Sequence, residues 1–452
     1  MTSLPLRIVI AGDTFSPDVN GAAIFTAQLA AGLAKRGHEV HIVAPSADGQ
    51  HGRFVEEYEG VLLIVHRLPS VSWPFLKSFR TTLPWQVQRD TAPIIDDVQP
   101  DIVHTQSHFQ IGRGIARLAH RRRIRLIATN HSMSENLAKY VPVGKTLLQL
   151  LIMILWADAA GTYMLADAIT TPTPAAAAYL QCAARIQRKI FAISCGLETS
   201  RYRFNPHRPP RNEIVYLGRV AIDKQLNVLL RALQILPSGL DAKLRIIGGG
   251  KMLPELQRLA ADLRIEEHVE FTGHVDEEAK LAMLANATVF VMPSTAELQS
   301  ISSLEALASG LPIVAANAMA LPHLVDGNGF LFQPGDTQDL ATKIGKVLRM
   351  DEKMYTNMRH RSRWLAEQHD IARTVDQFEA LYRAEADDLL GNVGRCRSGH
   401  LSEYCFEITV YIVAALFYMC GLGLVAITYL SRSPALLVLG TLVGLVGIRW
   451  MY

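Results

Sequence analysis

Apolar and polar positions alternate along most of the chain with the two periods of strands and helices. Leu6–Ala11 is a short apolar run with β-branched residues, and Gly12–Gly21 is polar and turn-rich. Ala22–Lys35 carries a helical period ended by Gly37, and Glu39–Ala44 is a second apolar run ended by Pro45. This strand, loop, helix, strand opening predicts a doubly wound α/β domain. Further strands are predicted at Asp101–Thr105, Arg125–Thr129, Ala168–Thr171 and Lys189–Ile193, with a helix over Gly112–Arg122. Residues 201–212 contain three prolines and no long apolar period, which predicts a linker. A second series then follows, with strands at Glu213–Leu217, Lys243–Ile247, Val269–Thr272, Ala287–Met292 and Pro312–Ala316. Two such domains predict a cleft between them, with ligands at the carboxyl ends of parallel strands.

The pattern changes near the end. Lys353–Leu390 reads as charged helices. Ile408–Leu430 is then 23 residues without a formal charge, enough to span about 30 Å of hydrocarbon. Pro434–Ile448 is a second apolar run of 15 residues. The predicted domains are therefore 1–200, a linker at 201–212, 213–390, a juxtamembrane linker at 391–405, and a membrane anchor at 406–452 of two helical segments. Ser72–Trp85, with aromatic and basic residues mixed, and the apolar Leu147–Trp156 are further membrane-prone stretches, the latter also readable as a core helix.

Charge narrows the class. The net charge is +3, which argues against a nucleic-acid binder. Residues 1–205 hold 21 Lys+Arg against 15 Asp+Glu, so the first half is basic, which fits either a face toward anionic lipid or ordinary surface scatter. The five cysteines form no C-x-x-C pair, which predicts no structural zinc and a reducing compartment. Met1–Leu6 runs straight into a strand pattern, so no secretory leader is expected.

Candidate chemistry clusters where strands end. Phe15–Gly21 links the first strand to a helix, and Gly21 would let a ligand approach that helix's N-terminus. Gly218-Arg219 ends the first strand of the second domain, and Lys224 follows five residues later; two cations beside a glycine suit a diphosphate. Ile247-Gly248-Gly249-Gly250 ends the next strand, as a phosphate or base approach or as a simple loop. Pro293–Asn317 reads strand end, loop, short helix, glycine, strand, with the helix starting near Ser300–Ser302. Its amides favour phosphate. Glu297 could accept hydrogen bonds from sugar hydroxyls. Glu305 could reach a ribose, or could close a capping box with Ser302.

These motifs resemble the retaining nucleotide-sugar glycosyltransferases of family four, whose fold is GT-B, two Rossmann-like domains. Glu297–Glu305 matches the E-x7-E signature, Gly218-Arg219 with Lys224 the phosphate-binding pair, and Asn20-Gly21 the N-terminal glycine loop. Thr129-Asn130-His131 matches the active-site histidine segment, and Phe271–Val275 the base-contacting one. The resemblance covers roughly residues 6–385 and leaves the C-terminal apolar segments outside. It implies that Arg219 and Lys224 hold a donor diphosphate, with Gly21, Gly218 and Gly248 lining the donor. His274 and Val275 would lie near the base. Glu297 would bind the transferred sugar and Glu305 the ribose. The amides of Gln299, Ser300 and Ile301 would touch phosphate, and His131 would stabilise the transition state. His131, Glu297, Arg219 and Lys224 are thus the expected catalytic set. The first domain would take the acceptor. The expected activity is hexose transfer from a UDP- or GDP-sugar to a membrane lipid such as diacylglycerol or a glycolipid, on the cytoplasmic side of the cell membrane. A polyprenyl-linked or polysaccharide acceptor is the alternative, and an epimerase or inactive binding protein is the reading from another class. No D-x-D motif occurs, so no metal or other cofactor is expected.

Overall fold

The computed structural model describes residues 4–18, 20–73, 76–135 and 144–385. The predicted membrane anchor and the linker before it lie outside the described residues. The chain forms two compact units. The first takes the described residues up to Thr171, then Ala177–Ala192, and the stretch from Phe378. The second takes Pro172–Ala176 and Ile193–Gln377.

The first unit contains β1 (Arg7–Ala11), α1 (Gly21–Lys35), β2 (Glu39–Pro45), β3 (Gly52–Tyr58), β4 (Val61–Leu68), β5 (Val71–Trp73) and β6 (Leu76–Thr81). It continues through α2 (Pro84–Val98), β7 (Ile102–Thr105), α3 (Gln110–Arg121), β8 (Arg125–Thr129), α4 (Lys145–Tyr163), β9 (Ala168–Thr171), α5 (Pro174–Ala183) and β10 (Ile190–Ala192), α5 beginning in the second unit. Its eight-stranded sheet has the order β10-β9-β8-β7-β1-β2-β4-β3. All pairs are parallel except β3 with β4. The strand order reverses at β1 and β7, the position at which α/β sheets hold ligands.

Local chemistry sets the ends of the helices around that point. The Asn20 side chain accepts from the Ala23 amide at 3.0 Å and starts α1. Helix α3 has no cap of its own. Asp13, from the loop after β1, accepts from the amides of Ile111 at 2.8 Å and Gly112 at 3.2 Å. That helix start is thus already satisfied by a protein carboxylate.

Helix α4 divides along its length. Ile154, Trp156, Ala159 and Tyr163 are buried, whereas Leu147, Leu150 and Met153 in the first turns are exposed. The core-helix reading holds for the second half alone. Thr146–Tyr163 is long and apolar enough to cross a membrane, and one third of it is buried. Of the Ser72–Trp85 stretch, β5 and β6 pair as an antiparallel hairpin and Trp85 is exposed on α2.

The second unit contains β11 (Glu213–Leu217), α6 (Leu226–Gln234), β12 (Lys243–Ile247), α7 (Leu253–Asp262), β13 (Val269–Gly273), α8 (Glu277–Asn286), β14 (Val289–Met292), α9 (Ile301–Ala308), β15 (Ile313–Ala316) and β16 (Gly329–Phe332). α10 (Thr337–Leu348), α11 (Glu352–Gln368) and α12 (Ile371–Arg383) close the series. Its six parallel strands run β13-β12-β11-β14-β15-β16. Counted along the unit this is the order 3-2-1-4-5-6 of a dinucleotide-binding domain, with its switch point between β11 and β14. The last turns of α12 belong to the first unit, where Phe378 packs 5.8 Å from the Phe25 ring and Tyr382 bonds His104.

Candidate active site

The switch point of the second unit is where its charged groups collect. Leu217 ends β11 and Gly218 follows at φ +148°, a backbone that favours glycine. The Tyr216 hydroxyl donates to the Arg219 carbonyl at 2.8 Å and fixes the turn. A short 3₁₀ turn, Ile222–Lys224, then brings Lys224 under the end of β14. There the Asp223 carbonyl accepts from the Ser294 hydroxyl and the Thr295 amide.

Lys224 is 9% exposed. Its Nζ lies 2.5 Å from Glu297 Oε1 and 3.6 Å from Asp223 Oδ2. Arg219 extends into solvent, 3.9 Å from the same Asp223 oxygen. Asp223 was not among the residues expected from sequence. Its Oδ2 is buried and accepts no hydrogen bond, so it faces both cations at ion-pair distance only. Two cations and two carboxylates therefore meet at the carboxyl end of β11, and burial strengthens their interactions relative to water.

The glycine run after β12 is built into this edge. Gly248 pairs across to Gly273, its amide donating to the Gly273 carbonyl at 2.8 Å. A Cβ on Gly248 would sit 2.1 Å from the Gly218 carbonyl oxygen, and one on Gly250 would sit 2.2 Å from that of Val220. Gly249 faces the ring of His274, with His274 Nε2 2.9 Å from the position a Cβ would take. The structure thus brings Gly218, Gly248 and His274 together. Val275 is partly buried against the core.

Helix α9 starts from a strained residue. Ser300 has φ +75°, in the left-handed region, and its Oγ bonds Ser303 Oγ at 2.7 Å. The loop before it is pinned from several sides. Gln299 Oε1 accepts from the Cys195 amide at 2.8 Å, and its Nε2 donates to Ser194 Oγ at 2.5 Å. The Leu298 carbonyl accepts from Thr173 Oγ1. Ile301 opens the helix. Glu305 does not close a capping box. Its Oε1 accepts from Lys280 Nζ at 2.7 Å and from the Tyr202 hydroxyl at 2.9 Å. A charged partner on α8 outcompetes the helix's own amides.

In the first unit, Gly21 is the exposed first residue of α1. His131 follows β8, with its ring 5.0 Å from that of Phe25 on α1. His131 Nε2 donates to Gln106 Oε1 at 2.8 Å, which assigns the ring proton to Nε2 in the neutral form. Gln106 Nε2 in turn lies 3.2 Å from His104 Nε2. His104 also bonds the Tyr382 hydroxyl at 2.7 Å and Thr129 Oγ1 at 2.6 Å. Burial pushes His131 down to about 4 and, with His131 adding to it, His104 to about 3. Both rings are neutral near pH 7. Gln106 and His104, which support His131 from the end of β7, carried no sequence signal beyond their place after a strand.

Residues 19–201 match the family model described as Glycosyltransferase Family 4, and residues 200–364 the one described as Glycosyl transferases group 1. The chain belongs to the family 4 glycosyltransferases. As such it is a hexosyltransferase. It is similar to a sulfoquinovosyl transferase of Arabidopsis thaliana, 26% identical over 336 residues, covering 70% of this chain and 61% of that protein. It is similar to an α-monoglucosyldiacylglycerol synthase of Streptococcus pneumoniae, 26% identical over 360 residues, covering 76% and 78%. Among solved structures, HepE of Anabaena in complex with UDP-glucose aligns with a TM-score of 0.63 at 18% identity, covering 83% of this glycosyltransferase and 100% of that chain. That likeness supports the GT-B fold. Among the described residues, no group of three or more His, Cys, Asp or Glu could hold a metal ion.

Proposed function

We propose that this glycosyltransferase moves a hexose from a nucleotide sugar to a membrane lipid, with retention at the anomeric carbon. The observation that carries the reading is the charged edge at the second unit's switch point. Arg219 stands there beside Asp223, and Lys224 beside Glu297 in the loop that leads into α9. A diphosphate bears more charge than one carboxylate and would compete with Glu297 for Lys224. Glu297 would then be released to accept from sugar hydroxyls. As the anomeric C–O bond breaks, charge grows on the leaving diphosphate, and Arg219, Lys224 and the α9 amides would absorb it. The acceptor hydroxyl would attack the oxocarbenium-like centre on the face the diphosphate leaves, and its proton would pass to the departing diphosphate oxygen. His131, neutral and with its Nε2 proton held by Gln106, would support that charge as a dipole rather than as a cation.

Three observations support a lipid acceptor. The streptococcal relative is named for monoglucosyldiacylglycerol. The opening turns of α4 expose Leu147, Leu150 and Met153. Ile408–Leu430 has the length and composition of a span. Because nucleotide sugars are cytoplasmic, the catalytic units would work on that face of the membrane.

The test is a transfer assay on detergent-solubilised full-length protein. Labelled UDP- and GDP-sugars are crossed with diacylglycerol, phosphatidylinositol and glucuronosyl-diacylglycerol, and products are read by mass spectrometry and anomeric NMR. An α-linked glycolipid from one pair, lost in Glu297→Gln, supports the reading and names both substrates. No transfer to these three lipids, with transfer to an added polysaccharide or polyprenyl-linked acceptor, would overturn the glycerolipid acceptor. An inverted anomer would overturn retention.

A further inference from the structure

Glu305 is the expected ribose ligand, and the structure holds its carboxylate in an unusual way. Both bonds that it receives go to the same oxygen. Lys280 Nζ approaches Oε1 at 2.7 Å, and the Tyr202 hydroxyl approaches it at 2.9 Å. Oε2 makes no hydrogen bond among the described residues. A carboxylate oxygen has two lone pairs in its plane. Two donors on Oε1 therefore fill that oxygen and set both the plane and the rotation of the group. The donors come from separate places. Tyr202 lies past the β10 end of the chain path, 5% exposed, and Lys280 sits on α8. Lys280 is itself anchored by Glu277 at 2.8 Å. Burial works against its charge, but Glu305 and Glu277 outweigh this and hold its pKa above the ordinary lysine value. The same surroundings, burial first and then Glu305, raise Tyr202, so it keeps its proton to donate.

We infer that Tyr202 and Lys280 are positioning residues for nucleotide recognition: by saturating Oε1 of Glu305 they aim Oε2 at the vicinal hydroxyls of the donor's ribose. The inference rests on the proposed role of Glu305 and deepens it. A vicinal diol offers two O–H donors, and a single oxygen with both lone pairs open can accept from one or both. A carboxylate free to rotate would offer the same atoms at a higher entropic cost. The arrangement thus predicts selectivity for a ribonucleotide over its 2′-deoxy form, and the selectivity depends on two residues that never touch the nucleotide.

The experiment titrates full-length protein with UDP and with 2′-deoxy-UDP, and with the two guanosine analogues, by calorimetry. The variants are Glu305→Gln, Tyr202→Phe, Lys280→Met and Lys280→Arg, each checked for folding by thermal melting. The wild type should prefer the ribonucleotide by about tenfold or more. Tyr202→Phe and Lys280→Met should weaken ribonucleotide binding by about tenfold while leaving the 2′-deoxy form nearly unchanged, so the ratio collapses. Lys280→Arg should restore part of the ratio. Equal weakening of both nucleotides in Tyr202→Phe and Lys280→Met would show a merely structural role and overturn the inference, as would no change in either. The two levels separate through Glu305→Gln. A ratio unchanged in that variant overturns the ribose role itself; a ratio lost there but kept in the other variants overturns only the positioning.

Discussion

Lys224 and Arg219 carry the same charge but differ in setting. Lys224 is buried against Asp223 and Glu297, whereas the Arg219 side chain is 59% exposed. Screening by water reduces what an exposed cation can do for a developing charge, and low dielectric enhances what a buried one can do. Lys224→Ala should therefore lower kcat by about 100-fold or more, and Arg219→Ala should act mainly on KM, by about tenfold. Steady-state kinetics over a range of donor concentrations checks the split, and equal effects on kcat would refute it. Truncating Lys224 also strands Glu297, whose side chain is 12% exposed, which costs about 2 kcal/mol if the carboxylate stays charged. The double variant Lys224→Ala/Glu297→Gln should recover that stability without recovering turnover. Denaturant midpoints for the single and double variants decide this, and a double variant no more stable than Lys224→Ala refutes it.

At the level of elements, the strand ends were the most legible feature, because a parallel strand buried on both faces reads as a short apolar run. β1, β2, β7, β8, β11 and β12 lie within a residue or so of their predicted bounds. The β3–β4 hairpin was missed. β3 is an edge strand whose alternating exposed positions, Arg53 to Glu57, look like a polar loop. The glycine run 248–250 was visible, but its reason was not. A sequence cannot tell a glycine that admits a ligand from one that admits a carbonyl of the turn after the neighbouring strand. Gly248 and Gly250 are of the second kind. Gly248→Ala and Gly250→Ala should each destabilise the second unit by about 2–4 kcal/mol, since the obstacle is backbone and φ is positive. Gly249 meets only the movable ring of His274. Gly249→Ala should cost about 1 kcal/mol or less in stability yet weaken nucleotide binding by displacing His274. Urea unfolding combined with nucleotide titration tests both, and a Gly249→Ala variant as unstable as the other two would show that the ring cannot move. Asp223, Lys280 and Tyr202 were illegible for a related reason. Lys280 and Tyr202 bond Glu305 from far along the chain, and Asp223 meets its neighbours only because a 3₁₀ turn folds them together.

For the molecule as a whole, the buried imidazoles set a direction of acid sensitivity. Burial lowers His66, His131 and His369 to about 4, and His104 to about 3, from 6.5. A neighbouring histidine adds to the effect for His66, His104 and His369. In the unfolded chain these rings take up protons below about pH 6.5, while the folded protein keeps them neutral. The stability that depends on the neutral rings is therefore complete above about pH 6.5. It is lost as pH falls, until the folded-state values near 4 are passed. Each ring costs about 2 kcal/mol between pH 7 and pH 5, against a typical domain stability of about 5–15 kcal/mol. Of the rings that burial lowers, His66, His104 and His131 lie in the first unit, and His369 and His323 lie in the second. Acid should thus open the first unit before the second. Hydrogen exchange followed peptide by peptide at pH 7 and pH 5, corrected for the intrinsic rate, measures this directly. Protection should fall in the strands β7 and β8 beside His104 and His131 while β11 and β14 keep theirs. A uniform loss across both sheets would mean that the imidazole network does not govern acid stability.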